Sequence, residues 1–415
     1  MRTIFISTGE VSGDLQGALL IDGLKRQAEA AGLELEIVAL GGAKMAKAGA
    51  KLLGNTTGIG SMGLVESLPF VVPTLKIQRR AKQYLRQQPP DLVVLIDYMG
   101  PNMSLGSYIR RKLPQVPIVY YIAPQMWVWW PFSRDTARLV EMTDQLLAIF
   151  PEEARYFEKK GASVSWVGHP LVDRMQSSPS REEARRTLGI EPDQTAIALL
   201  PASRHQELKY LMPVVFEAAQ QIQSQLLGNG ESGDGEMGRT PNLKPKIPSL
   251  KSGTPLFWIP LSLEVYRPSI EAAIARYGLR ATLVAGKTQE VLAAADLAIT
   301  KSGTVNLELA LLDVPQVVFY RVSPFTYWVA RSLFNFSIPF MSPPNLVMMR
   351  SIVPELLQEQ ATPENIVKEA LELLLNPDRR QQTLTDYQEM RRLLGDVGVC
   401  DRAAREILQL GSSKS

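Results

Sequence analysis

The sequence predicts an α/β protein built on two doubly wound parallel sheets, and three observations carry that expectation. Short apolar runs alternate with longer helical patterns along almost the whole chain, the signature of parallel strands joined by crossover helices. A polar join over residues 173–188 is followed by a second series of the same kind. At 415 residues and 45% apolar, the chain is long enough for two or three domains with separate cores.

Taken in order, the first series places strands at residues 3–7, 36–39, 92–96, 118–122, 145–149 and 164–167. Helical patterns fall between them, over 17–31, 73–87 and 151–159. The second series places strands at 196–200, 255–259, 281–284, 297–300 and 316–319. Residues 228–253 are rich in Gly and Pro and lack periodicity, so they read as a flexible insertion. Past Thr362 the pattern is helical, and Ala361-Thr362-Pro363-Glu364 has the form of a capped start with Pro at the first position. The expected domains are residues 1–172, 173–378 and 379–415, the last being helices that pack back on the first domain. Two Rossmann-like sheets would face a central cleft bordered by their carboxyl ends, where small ligands bind.

Composition excludes several classes. Lys plus Arg number 45 against 42 Asp plus Glu, so the charge of +3 supplies no counterion-releasing field and no nucleic-acid partner is expected. One cysteine, Cys400, and two histidines, His169 and His205, supply neither a disulfide nor a zinc set. Met1-Arg2-Thr3 leads directly into an apolar strand rather than a signal peptide, so the expected compartment is the cytoplasm. The charge-free runs 113–133 and 332–349 are broken by Pro114, Pro117, Pro124, Pro131, Pro339, Pro343 and Pro344, which argues against transmembrane helices and for apolar pocket walls.

Several strand ends carry polar residues suited to chemistry. The first strand runs into Thr8-Gly9-Glu10-Val11-Ser12-Gly13-Asp14, read as a small-residue turn before a helix from Leu15. Such a turn either presents amides, with Ser12 and Gly13, to a phosphate or sugar, or is merely a tight connection. Glu10 and Asp14 favour sugar hydroxyls. Asp97 follows the apolar run Leu92-Val93-Val94-Leu95-Ile96, so it emerges at the carboxyl end of a central strand, the place for a catalytic base. The alternative is a capping aspartate. Ser203 and Arg204 follow another strand end, where a fixed cation would clamp a pyrophosphate. Ser302-Gly303-Thr304 opens a helix carrying Glu308, a setting for a nucleoside diphosphate with Glu308 on the ribose, or simply a favourable charge near a helix start. His169 is either a structural histidine or a ligand. Lys76, Arg79, Arg80, Lys82 and Arg86 follow an apolar stretch, a pattern shared by solvated helices and helices lying on anionic bilayers.

Assembled, these segments resemble the lipid-A-disaccharide synthase family along the whole chain. The likeness includes residues 9–14, Met62-Gly63-Leu64-Val65-Glu66, Ile149-Phe150-Pro151, Val167-Gly168-His169-Pro170-Leu171, Ser203-Arg204, Ser302-Gly303-Thr304 and Pro344-Asn345-Leu346. The resemblance implies a GT-B fold and inverting transfer of 2,3-diacylglucosamine from its UDP form to 2,3-diacylglucosamine 1-phosphate (lipid X), with no cofactor and no metal. It further implies Asp97 as the base, Arg204 as the pyrophosphate clamp, Glu308 on the ribose and Asn345 on the donor sugar or leaving phosphate, with Glu10 and Asp14 as reserve carboxylates. Asn102 ends the segment Asp97-Tyr98-Met99-Gly100-Pro101-Asn102, where the family more often has Asp-Ala-Pro-Asp-Phe-Asn. Acylated substrates imply peripheral attachment to the inner-membrane surface; a homodimer is allowed and not required. Alternatives are another UDP-sugar-dependent glycolipid transferase, a UDP-N-acetylglucosamine epimerase, or a non-catalytic nucleotide-sugar-binding protein.

Overall fold

The computed structural model describes residues 1–57, 71–128, 130, 132–201, 205–228, 256–321 and 340–413, and these form two units, Met1–Arg174 with Leu393–Ser415, and Met175–Arg392. In the first unit the strands are β1 (Arg2–Ser7), β2 (Leu35–Gly41), β3 (Lys51–Asn55), β4 (Leu92–Ile96), β5 (Ile118–Tyr121), β6 (Gln145–Ala148) and β7 (Val164–Trp166). They form one parallel sheet in the order β3-β2-β1-β4-β5-β6-β7. In a parallel sheet covered on both faces, central strands become continuous apolar runs, and every residue of β4 is buried. Strand order reverses between β1 and β4, which creates the crevice where ligands bind in such sheets.

The second unit repeats the plan. Its strands are β8 (Ile197–Leu200), β9 (Phe257–Leu261), β10 (Ala281–Ala285), β11 (Leu297–Lys301), β12 (Gln316–Tyr320) and β13 (Glu355–Leu357), in the order β10-β9-β8-β11-β12-β13. The reversal here lies between β8 and β11, again with all pairs parallel. β3 and β13 were not expected. Both are edge strands with a single neighbour, and Lys51-Leu52-Leu53-Gly54-Asn55 and Glu355-Leu356-Leu357 lack the β-branched run that marks a central strand.

Local rules fix several helix ends. Ser180 and Glu183 make a reciprocal capping box before Arg181–Leu188. Thr362 accepts from the Asn365 N–H and Pro363 occupies the first turn, as the sequence predicts. The insertion at 228–253 lies almost wholly outside the described residues.

The 379–415 segment, expected to pack back on the first domain as one block, is divided between the two units. Pro377–Leu394 largely belongs to the second unit, because the buried Tyr387 hydroxyl accepts from Gln316 Nε2 at 3.2 Å and donates to the Val314 carbonyl at 3.3 Å. Val399–Ser413 belongs to the first unit. Asp173 there accepts the N–H groups of Gly398, Val399 and Cys400 at 2.6, 3.1 and 2.8 Å, capping that helix from 225 or more residues away. Gly23 lets the helix approach, since a Cβ at that position would lie 2.7 Å from the Cys400 carbonyl oxygen.

Candidate active site

At the carboxyl edge of the first sheet, four residues other than glycine hold positive φ: Glu10 (60°), Asp97 (45°), Tyr98 (50°) and Ile122 (60°). They follow β1, β4 and β5, neighbours around the strand-order reversal. Each such residue stores about 1–3 kcal/mol of strain, which persists only where surrounding contacts enforce it. The strain thus concentrates at the crevice.

Asp97 stands just beyond β4. Water reaches its side chain, yet the surrounding protein removes enough hydration to push its carboxyl up to about 6, with the negative charge of Glu10 adding to the shift. Glu10 is half-buried at the start of the Glu10–Ala30 helix. The Tyr98 ring lies against Gly9, where a Cβ would come within 2.2 Å of it, so no larger residue fits there. The Tyr98 hydroxyl bonds to Thr74, and burial pushes its pKa above the usual range, making it a weaker acid.

The helix begins at Glu10, not at Leu15 as expected. Ser12, Gly13 and Asp14 look like turn residues but lie inside the helix, and position 13 is glycine because Thr8 Oγ1 occupies the space, 2.0 Å from where a Cβ would be. Ser12 is exposed in the first turns. Asp14 is buried and spends its carboxylate on the N–H groups of Gly42 (2.7 Å), Lys44 (3.0 Å) and Met45 (3.1 Å), so it anchors a neighbouring helix rather than supplying a second reacting carboxylate. Asn102 is also revised. Its amide is wholly buried, accepts from Ser7 Oγ at 2.7 Å and donates to the carbonyls of Ser7, Ile96 and Asp97, leaving nothing for substrate.

Sequence patterns gave no sign of Glu153. Its Oε1 accepts from Ala123 N–H at 2.9 Å and its Oε2 from Ile149 N–H at 2.8 Å, which ties the ends of β5 and β6 together. Burial pushes this carboxyl up to about 7, with the Asp97 charge contributing. His169 is buried, its Nδ1 accepts from the Leu171 N–H at 3.1 Å and its ring packs 5.3 Å from Phe150, so it is a structural residue. Burial lowers it to about 4 and keeps it neutral.

In the second unit, the turn after β11 is held from beneath. Asn306 Oδ1 accepts from Gly303 N–H at 2.7 Å, and Asn306 Nδ2 donates to Gln316 Oε1 at 2.9 Å. Ser302 Oγ donates to the Met341 carbonyl at 2.7 Å, while Thr304 remains exposed. Glu308 is 7% exposed and its Oε2 accepts from Gln289 Nε2 at 2.7 Å, a partner missed in the sequence because it lies on the helix after β10. Asn345 was expected to touch the donor. It is instead wholly buried, with Oδ1 accepting from the N–H groups of Ile352 and Val353 and Nδ2 donating to Val353 O and Glu355 Oε2, so it fastens the 352–355 segment. Ser203 and Arg204 lie outside the described residues, as do the side chain of His205 and residues 58–70. Among the described residues no three His, Cys, Asp or Glu side chains cluster as metal ligands, and no helix is long and apolar enough to cross a membrane.

The chain is similar to known proteins along almost its whole length. The family model described as lipid-A-disaccharide synthetase matches residues 4–229 and 232–409. The chain is 61% identical to the lipid-A-disaccharide synthase of Gloeothece citriformis over 98% of this chain and 99% of the relative. It is 54% identical to that of Synechocystis sp. (99% and 98% covered) and 32% identical to that of Geobacter sulfurreducens (98% and 97%). Among solved structures, a UDP-GlcNAc 2-epimerase from Neisseria meningitidis bound to UDP-GlcNAc aligns with a TM-score of 0.60 at 11% identity, covering 99% of this chain and all of that one. The calicheamicin glycosyltransferase CalG4 aligns with a TM-score of 0.55 at 16% identity, covering 100% and 98%. These structural likenesses show the fold, the two-sheet α/β plan of the GT-B class.

Proposed function

The chain belongs to the lipid-A-disaccharide synthase family, and from that premise we propose how its residues carry out the reaction. The donor is UDP-2,3-diacylglucosamine and the acceptor is 2,3-diacylglucosamine 1-phosphate. The acceptor 6-hydroxyl attacks the donor anomeric carbon from the face opposite UDP, forming the β-1,6 bond as the bond to UDP breaks. The products are the disaccharide 1-phosphate and UDP.

Asp97 accepts the proton released by the 6-hydroxyl. The observation that carries this assignment is its place at the crevice beside β1 and β4, with a carboxyl raised to about 6. At neutral pH such a group is mostly ionised yet more basic than an ordinary carboxylate, as a general base requires. A single displacement needs one base and no covalent nucleophile. Glu308, oriented by Gln289, takes the ribose, and the Ser302–Thr304 turn with Ser203 and Arg204 takes the diphosphate, where fixed donors stabilise the developing charge.

The decisive test incubates purified protein with both acylated substrates, with and without chelator. Disaccharide and UDP in equal amounts support the reading; an epimerised UDP-sugar, or transfer to a different acceptor, overturns it. Asp97→Asn is expected to lower kcat by about 10²–10⁴-fold while UDP binding persists.

The substrates' acyl chains call for a lipid surface. In the Val71–Gln87 helix, Val71, Val72 and Leu75 are 46%, 60% and 52% exposed, and Lys76, Arg79 and Arg80 are exposed on the same segment. This helix rests on the cytoplasmic face of the inner membrane in our reading, each cation contributing about 1 kcal/mol with anionic lipid.

A further inference from the structure

The Asp97 backbone is held on both sides by groups that never touch its carboxylate. The Asp97 carbonyl accepts a hydrogen bond from the Tyr120 hydroxyl at 2.7 Å and another from Asn102 Nδ2 at 2.9 Å. On the other side of the same Cα, the Asp97 N–H donates to the Ile122 carbonyl at 3.0 Å. Both peptide planes flanking Cα are therefore pinned. With both planes fixed at the left-handed φ of 45°, the Cα–Cβ bond has one direction open to it. Tyr120 and Asn102 are each 0% exposed, and Asn102 is itself braced by Ser7 Oγ and by donation to the Ile96 carbonyl.

We propose that Tyr120 and Asn102 are positioning residues for the reaction: by clamping the Asp97 carbonyl they aim its carboxylate at the acceptor hydroxyl and keep it in its partly dehydrated setting. The inference rests on Asp97 being the base. Burial raises the Tyr120 phenol well above its ordinary range, so it remains a protonated donor across the working pH. A purely packing role for these two groups predicts something different. It would change the amount of folded protein and leave the titration of the base where it was.

The experiment measures kcat, both KM values and the pH profile of kcat/KM for Tyr120→Phe, with a thermal melt to establish folding. The expected result is a fall in kcat of roughly 10–100-fold, KM values within about twofold of the parent, and an acid limb displaced from about 6 toward the ordinary aspartate range as the freed carboxyl rehydrates. Asn102→Ala, which removes the other donor, goes through the same measurements, so one folded variant decides. A folded variant with parental kcat and an unmoved acid limb overturns the clamp. Asp97→Asn runs alongside: if it retains transfer, the assignment of the base fails, whereas an inactive Asp97→Asn beside a parent-like Tyr120→Phe removes the clamp alone.

Discussion

Glu10 sits where its charge opposes ionisation of Asp97. Replacing it with Gln removes that opposition, lowers the Asp97 value and moves the acid limb of kcat/KM to lower pH; a limb that stays near 6 would show that Glu10 is not felt there. Asp14 makes the opposite kind of prediction. Asp14→Asn puts an NH2 group against backbone donors and is expected to cost about 1–3 kcal/mol of stability in urea unfolding, with kcat of the folded fraction unchanged. At this scale Asp97 was readable because an acid directly after five apolar residues has nowhere else to go in a parallel sheet. Asp14, Asn102 and Asn345 read as ligand contacts for a shared reason. A polar side chain that satisfies backbone groups far along the chain has the same letters as one that meets a ligand. Tyr120 and Glu153 were invisible because a tyrosine inside Ile118–Tyr121 and a glutamate at a helix start pass as ordinary core and cap.

Elements reveal a different limit. Central strands and long helices were legible from period and run length, while β3 and β13 were lost because Lys51–Asn55 and Glu355–Leu357 contain no β-branched residue. Close contacts between individual residues of different elements were not legible. Gly23 reads as a weak point in a helix, yet Gly23→Ala is expected to destabilise the protein by about 1–3 kcal/mol, against its helix propensity, because the new methyl meets the Cys400 carbonyl; an increase in melting temperature would refute this. His169, in the turn after β7, links this packing to pH. Its folded value of about 4 lies below the ordinary 6.5, so between those values the unfolded chain binds a proton that the native one does not, and stability falls as pH falls through that window. From pH 7 to 4.5 this one group removes about 2–3 kcal/mol. His169→Gln should flatten the difference in urea midpoint between the two pH values, and an unchanged difference would assign the acid sensitivity elsewhere.

Over the whole molecule, two doubly wound series and the packing of the last helices on the first domain are expected from the sequence, but the division of residues 379–415 between the two units is not, because the bonds that fix it, from Gln316 to Tyr387 and from the Cys400 N–H to Asp173, join residues that no local pattern pairs. Membrane attachment is tested at this scale. Triple replacement of Lys76, Arg79 and Arg80 by Glu is expected to abolish co-sedimentation with phosphatidylglycerol vesicles at low salt while leaving the melting temperature within about 2 °C, since these side chains are exposed. Binding that survives the charge reversal would place the lipid contact on another face.

The return of Val399–Ser413 to the first unit has a bearing on biosynthesis. The residues that complete the earlier-made half leave the ribosome only after the 218 intervening positions 175–392, a delay of tens of seconds at about 5–20 residues per second. Through that interval the nascent N-terminal sheet waits with the groove over Gly23 uncovered, whereas the later half already holds everything it requires. Translation order and the order of structural completion therefore run in opposite directions along this polypeptide.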